Sequence, residues 1–316
     1  MGQAAVRNLL ILHTPTAQGL SDWVEVKGKI QARAPDIEVR IANNVARNSV
    51  TRRWQVSRPS LVFSASPLLE YQPAGGKIYA GRRLAELAKE EELHRLHDAG
   101  LPVPETLRFT PDLRLAGEPW GDYVVVKPVA GYRGKGIRLV RTEDLSRRYS
   151  ELTVGGLVSM LVQSYIDHVD AEGCPSAYRV ITLFGHEVFA SYRSWIQPRR
   201  PLAEIAADPA GIIATNDTSA EKFRRFCHEE DVIALARSVY RAFPEIPVLG
   251  IDIIRETATG RLVLMECNPS GYVWHFSSNT GQELATPEYR QGMYEQFSAL
   301  DRAAELLIQK TRLEAI

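Results

Sequence analysis

The 316-residue chain has little that would place it in a specialised class, and each shortage excludes something. It holds only three cysteines, Cys174, Cys227 and Cys267. They are odd in number and far apart, which excludes a disulfide framework and a zinc site built on close cysteine pairs. They are expected to be reduced and structural. The seven histidines lack metal-ligand spacing, and His94 and His97 fall in a strongly charged segment that suits a solvated helix face. No run of about 18 apolar residues is present, so no membrane helix is expected. The N-terminus lacks a charged segment followed by an apolar region and a small-residue cleavage site, and a cytoplasmic location is therefore expected. There is no excess of either charge, with 38 Lys plus Arg against 38 Asp plus Glu. That balance gives no reason to expect nucleic acid or an anionic membrane as partner. Neither an internal repeat nor a low-complexity tract occurs.

What is there is an ordinary globular pattern, long enough for about two domains and a sizeable core. The first 80 residues alternate short apolar runs with polar segments: Asn8–His13, Ile37–Ile41, Leu61–Ser64 and Lys77–Tyr79. They predict a small α/β unit over residues 1–81. A charged helix is predicted from Arg82 to Ala99, with Leu84, Leu87, Leu93 and Leu96 on one stripe and Gly100 as its stop. Strands are predicted again at Tyr123–Lys127, Gly136–Val140, Leu161–Gln163, Tyr178–Leu183 and Glu187–Tyr192. Pro198–Asp217 suggests a mobile loop. A long helix is expected from Ser219 to Phe243 and another from Glu288 to Lys310. The last is expected to pack in its own domain, with a homodimer seam as the alternative.

Two segments carry chemistry. The first is Val248-Leu-Gly-Ile-Asp252-Ile-Ile-Arg, a Thr-Ala-Thr-Gly turn, and Arg261-Leu-Val-Leu-Met-Glu266-Cys-Asn268. Side chains alternate along a strand, so Glu266 and Asn268 share a face. A hairpin folded about residue 259 sets Asp252 opposite Glu266. Two carboxylates and a carboxamide on one patch are hard donors suited to Mg²⁺. Alone, the same residues suit an amphipathic hairpin with a polar solvent face. The second segment is Val124-Val-Val-Lys127-Pro-Val-Ala-Gly131-Tyr-Arg133-Gly134-Lys135-Gly136. A strand delivers a lysine into a loop whose glycines let backbone N–H groups crowd an anion, with Arg133 and Lys135 adding charge. It is not a Walker A loop, because it runs into a strand instead of opening a helix. A glycine-rich hairpin with surface cations is the structural alternative.

Taken in order, these segments resemble the ATP-grasp superfamily from about Arg82 to Phe276. Lys89 lies eleven residues before Gly100-Leu-Pro-Val-Pro104, as the first lysine of that family does. Lys127 and Gly131–Gly136 match the second lysine and the glycine loop. Val162-Gln163-Ser164-Tyr165-Ile166 matches the linker that contacts adenine. Arg179 and Arg193 match two arginine strands, and Asp252, Glu266 and Asn268 close the series as the metal hairpin. The resemblance implies an α/β (α+β) fold in which two subdomains, 82–167 and 168–316, clamp ATP behind the small N-terminal domain. It also implies a cytoplasmic ADP-forming carboxylate–amine ligase like the ribosomal-protein glutamate ligases and glutathione synthetases, working through an acyl phosphate.

On that reading the cofactors are ATP and two Mg²⁺, for which Mn²⁺ could substitute, and the substrates are small-molecule or peptide carboxylates and amines. Asp252, Glu266 and Asn268 would hold metal, while Lys89 and Lys127 neutralise phosphate. Gly131, Arg133, Gly134, Lys135 and Gly136 would cradle phosphate. Gln163, Ser164, Tyr165 and Ile166 would meet the nucleoside, and Arg179 and Arg193 the acyl phosphate or substrate carboxylate. Two positions depart from the family pattern: Ser164 stands for an acid in the linker, and Ala177 for the acid before Arg179. Ribose recognition is then displaced to Asp167 or Asp170, or absent. Tyr272, Trp274 and His275 either line an acceptor pocket or belong to the core. A small-molecule kinase and a non-catalytic nucleotide-binding protein are the rival functions.

Overall fold

A computed structural model describes residues 6–46, 48–83, 86–115, 117, 119–129, 136–208, 211, 222–279, 281 and 286–316. Three sheets organise them. The first is parallel, in the order β2-β1-β3-β4, from β1 (Arg7–His13), β2 (Ile37–Asn43), β3 (Ser60–Ser64) and β4 (Lys77–Ala80). Its central strands are almost wholly buried, as expected when helices cover both faces of a parallel sheet. Helix α1 (Ser21–Arg33) turns Trp23, Val26 and Ile30 inward at helical spacing, and α2 (Ser49–Gln55) is capped by the Asn48 side chain on Thr51 N–H.

The second sheet is antiparallel, in the order β5-β8-β6-β7, from β5 (Thr106–Arg108), β6 (Tyr123–Pro128), β7 (Arg138–Arg141) and β8 (Met160–Ser164). Helix α3 (Lys89–Asp98) leads into it, and Gly100 ends that helix at a φ of +66°, where a side chain would be strained. The predicted start at Arg82 is corrected: Ala88 is extended, and the helix begins at Lys89. Leu84 lies outside the described residues. Two short helices, α4 (Tyr149–Leu152) and α5 (Leu202–Ala207), flank the sheet, with Ile205 and Ala206 packed on Leu139 of β7.

The third sheet runs β11-β10-β9-β12-β13 and is antiparallel throughout. Its strands are β9 (Ser176–Leu183), β10 (His186–Trp195), β11 (Lys222–Phe226), β12 (Val248–Arg255) and β13 (Leu262–Asn268). Here the helix expected over Ser219–Phe243 is overturned. Lys222–Phe226 pairs with the open edge of β10, and α6 (Glu230–Ser238) starts only where Glu230 and Asp231 can face the positive end of the helix dipole. The helix expected over Glu288–Lys310 is two, α7 (Pro287–Gln296) and α8 (Ala299–Glu314). Ser298, at a φ of +50°, breaks the run.

One core joins the first sheet to the third. Trp23 of α1 lies 4.8 Å from Trp274, whose indole N–H donates to buried Asp22, and Leu300, Ala304 and Leu307 of α8 belong to the same cluster. Buried Glu187 sits between Arg237, with Nε 2.7 Å from Oε2, and Arg302. Burial alone would raise its carboxyl, but the two guanidiniums outweigh that and hold it down to about 2. A depressed carboxyl stabilises the fold fully above its unfolded pKa, near 4.5, and loses that contribution as pH falls towards about 2. The melting temperatures of the wild type and Glu187→Gln should therefore differ most near neutral pH and converge on acidification through that window. A gap that stays constant would contradict this account.

Candidate active site

The β12–β13 hairpin pairs as expected at its functional end: Gly250 faces Asn268, Ile251 faces Cys267, and Asp252 faces Glu266. Beyond Asp252 the register slips, and Ile253 faces Leu264. Met265 is the extra residue of that bulge, so Met265 and Glu266 both line a cleft. The cleft, of about 200 Å³, lies between the second and third sheets. It gathers Lys89 from α3, Lys127 from β6, Gln163–Ile166 from the end of β8, Arg193 from β10, Asp252 from β12 and Glu266 from β13.

At one end the cleft is charged. Lys127 is 6% exposed, and its Nζ donates to Gln163 Oε1 at 3.2 Å; Gln163 in turn donates Nε2 to Thr106 Oγ1 at 2.9 Å. Burial pushes the Lys127 ammonium down, and Lys89 adds to the shift. Glu92 was missed by sequence reasoning, although it stands three residues after Lys89 and so on the same helix face. It is buried, and burial together with the Glu266 charge pushes its carboxyl up. Its Oε1 accepts the Cys267 N–H at 2.5 Å, tying α3 to β13 between Glu266 and Asn268.

Asp252 is the anionic hub. Arg179 Nη2 lies 2.8 Å from Oδ2, its Nε lies 2.7 Å from Oδ1 without hydrogen-bond alignment, and Arg193 Nη2 lies 3.4 Å from Oδ1. Asn268 Nδ2 approaches Oδ2 at 3.5 Å. Arg193 Nε is a buried donor with no acceptor among the described residues. Among those residues no group of three or more His, Cys, Asp or Glu side chains is arranged to hold a metal. An ion here would draw on two carboxylates, Asn268 and oxygens from outside the protein. That donor set suits Mg²⁺, which keeps several non-protein oxygens.

At the other end the cleft is apolar, walled by Ile166, Ala177, Ile254 and Met265. Tyr165 turns its hydroxyl to Asp167 and Arg199. Among the expected site residues, Gly136 is described, exposed, and at a φ of +77°. Gly131, Arg133, Gly134 and Lys135 lie outside the described residues. Asp170 does not join the cleft, which corrects its assignment to the nucleotide. It accepts the Glu172 and Cys174 N–H groups and the Tyr192 and Ser194 hydroxyls, and it borders a separate cavity with Tyr178 and Tyr192 on the other face of the third sheet. Arg179 reaches the site through Asp252. Trp274 belongs to the core, Tyr272 is half exposed, and burial with the charges of Arg179, Arg224 and Arg193 pushes His275 down to about 3. The three cysteines are free and buried, and His94 and His97 are exposed.

No family model and no curated protein matches the sequence. Solved structures do match the fold. The ATP-grasp ligase PsnB complexed with a minimal precursor superposes with a TM-score of 0.53 at 18% identity, over 97% of this chain and 100% of that one. PsnB complexed with a phosphomimetic variant of the minimal precursor, Mg and ADP gives 0.54 at 17% identity, over 96% and 98%. PsnB with the precursor peptide PsnA2 and AMPPNP gives 0.52 at 17% identity, again over 96% and 98%. The chain has the ATP-grasp fold, as its motif order implied, and over nearly its whole length it is similar in structure to this ligase.

Proposed function

We propose that the protein is an ATP-dependent, ADP-forming carboxylate–amine ligase. The observation that carries this is the convergence, in one cleft between two sheets, of Lys89, Lys127, Gln163–Ile166, Arg193, Asp252 and Glu266. The likeness to a ligase complexed with Mg and ADP supports the same reading. Magnesium-bound ATP supplies the phosphoryl group that makes a carboxylate electrophilic. The chain's own part is positioning and electrostatics, which are the main demands of phosphoryl transfer. Lys127, held by Gln163, and Lys89 would meet phosphate charge; Asp252, Glu266 and Asn268 would hold the metal; the apolar wall of Ile166, Ala177, Ile254 and Met265 would face the base. Arg193, with a buried donor to spare, orients the anionic carboxylate or acyl phosphate, and Arg179 holds Asp252 in place. The three sheets support a division at about 1–81, 82–167 and 168–316, except that α8, expected to pack in its own domain, packs on α1 of the first unit; the first unit contributes to substrate choice.

The substrate class we favour is a peptide or small-molecule carboxylate with an amine. Among the described residues no helix is long and apolar enough to cross a membrane. The direct test is incubation of the protein with MgATP and panels of carboxylates, peptides and amines, following ADP, AMP and amide product. ADP with phosphate and an amide is the expected result. Formation of AMP with pyrophosphate would reject the acyl-phosphate route, and phosphorylated product without an amide would make the protein a kinase.

A further inference from the structure

Strand β13 lies at the edge of the third sheet, so the backbone groups it turns away from β12 need partners from elsewhere. The segment before β5 supplies them. Leu264 N–H donates to the Pro102 carbonyl at 2.8 Å, Cys267 N–H donates to Glu92 Oε1 at 2.5 Å, and the Pro269 carbonyl accepts the Arg82 N–H at 2.9 Å. Two of these fastenings join backbone to backbone. The third is a carboxylate, and it falls between Glu266 and Asn268. Helix α3 is itself held on the third sheet: Leu96 shares a core cluster with Ile251 and Cys267, and Arg95 donates to the Ala242 carbonyl and to Glu245. Lys89 therefore rides on the same rigid unit as the metal hairpin.

Glu92 is 4% exposed and lines the same cleft as Lys89, Lys127 and Glu266. A carboxylate there repels the phosphates that the two lysines would meet, so its charge by itself opposes nucleotide binding. Its hydrogen bond acts the other way. The Glu266–Cys267 peptide is a rigid plane, and holding its N–H fixes the backbone angle that aims the Glu266 side chain. The Cys267 side chain, buried in the core, anchors the next position. We infer that Glu92 is a positioning residue: by holding the Cys267 N–H it sets Glu266 and Asn268 for Mg²⁺ in fixed relation to Lys89, and so couples metal binding to nucleotide binding. The inference rests on the proposed MgATP cleft and adds the group that links its metal ligands to its first lysine.

Calorimetric titration of the full-length protein with ADP, once in MgCl₂ and once in EDTA, tests it without turnover. In the wild type Mg²⁺ should tighten ADP binding by about tenfold or more. Glu92→Met, similar in length and volume but without an oxygen acceptor, should lose about tenfold of that gain, the scale of one hydrogen bond to a charged group. It should bind metal-free ADP at least as well as the wild type, because a negative charge has gone. Glu92→Gln keeps an acceptor and should retain most of the gain. Glu92→Ala stands in if the methionine variant does not fold, and failure of both to fold would make Glu92 structural and overturn the inference. An unchanged gain in Glu92→Met, equal weakening with and without Mg²⁺, or a loss in Glu92→Gln as large as in Glu92→Met would also overturn it while leaving the cleft intact. A wild type that binds ADP equally in both buffers would reject the metal ligands, and one that binds no ADP would reject the cleft, each taking this inference with it.

Discussion

Glu266→Gln should leave a folded protein that has lost its ATP-dependent activity by about a thousandfold or more, the scale of removing a principal electrostatic stabiliser of phosphoryl transfer. The substitution preserves volume and one oxygen, and Glu266 is only partly buried, so packing changes little. What is lost is one of two carboxylates in a donor set that has no third among the described residues. The charge pattern changes as well. Glu266 and Glu92 share the charged end of the cleft with Lys89 and Lys127, and neutralising Glu266 leaves Lys127 with fewer anionic neighbours. The check is ADP release with the best carboxylate and amine pair, alongside a thermal melt. A variant that turns over normally would place the metal elsewhere, and one that fails to fold would make Glu266 a structural residue.

The parts of this site that were legible in the sequence follow from strand geometry. Alternation along a strand is fixed at two residues, so Glu266 and Asn268 had to share a face; the register at the turn, with Arg255 facing Leu262, would by itself set Asp252 opposite Met265, and the extra residue there is what brings Glu266 to Asp252. The bulge after Asp252 was not legible, since nothing in Leu264-Met265 announces an extra residue. Glu92 was missed for a related reason: it acquires meaning only from the Cys267 N–H that another element brings to it. The strand at Lys222–Phe226 was misassigned because helical spacing of Phe223, Phe226 and Ile233 is weaker than the demand of an open β10 edge for backbone partners. Asp170 went the other way: its sequence position suited ribose, but the 170–174 turn uses its carboxylate to cap its own backbone.

Asp252→Asn should be the most destabilising isosteric change in the site, and its two effects have separate causes. Arg179 and Arg193 are 16% and 23% exposed, and both point their charge at this one carboxylate. Removing the anion leaves two largely buried guanidiniums facing each other, a loss of about 3 kcal/mol by comparison with other broken buried pairs. The melting temperature should therefore fall, whereas Glu266→Gln should hold it. Metal and substrate binding should fall as well, because the same carboxylate is a proposed Mg²⁺ ligand. If Asp252 serves the arginines and the metal together, an added multivalent anion such as phosphate should recover much of the lost stability by binding the uncompensated guanidiniums, without recovering activity. Thermal melts of wild type and variant across a phosphate series, paired with the ADP-release assay, separate the two roles. A variant as stable as the wild type would mean that Arg179 and Arg193 find other partners. Recovery of activity by phosphate would mean that Asp252 acts only by orienting the arginines, leaving the metal to Glu266 and Asn268.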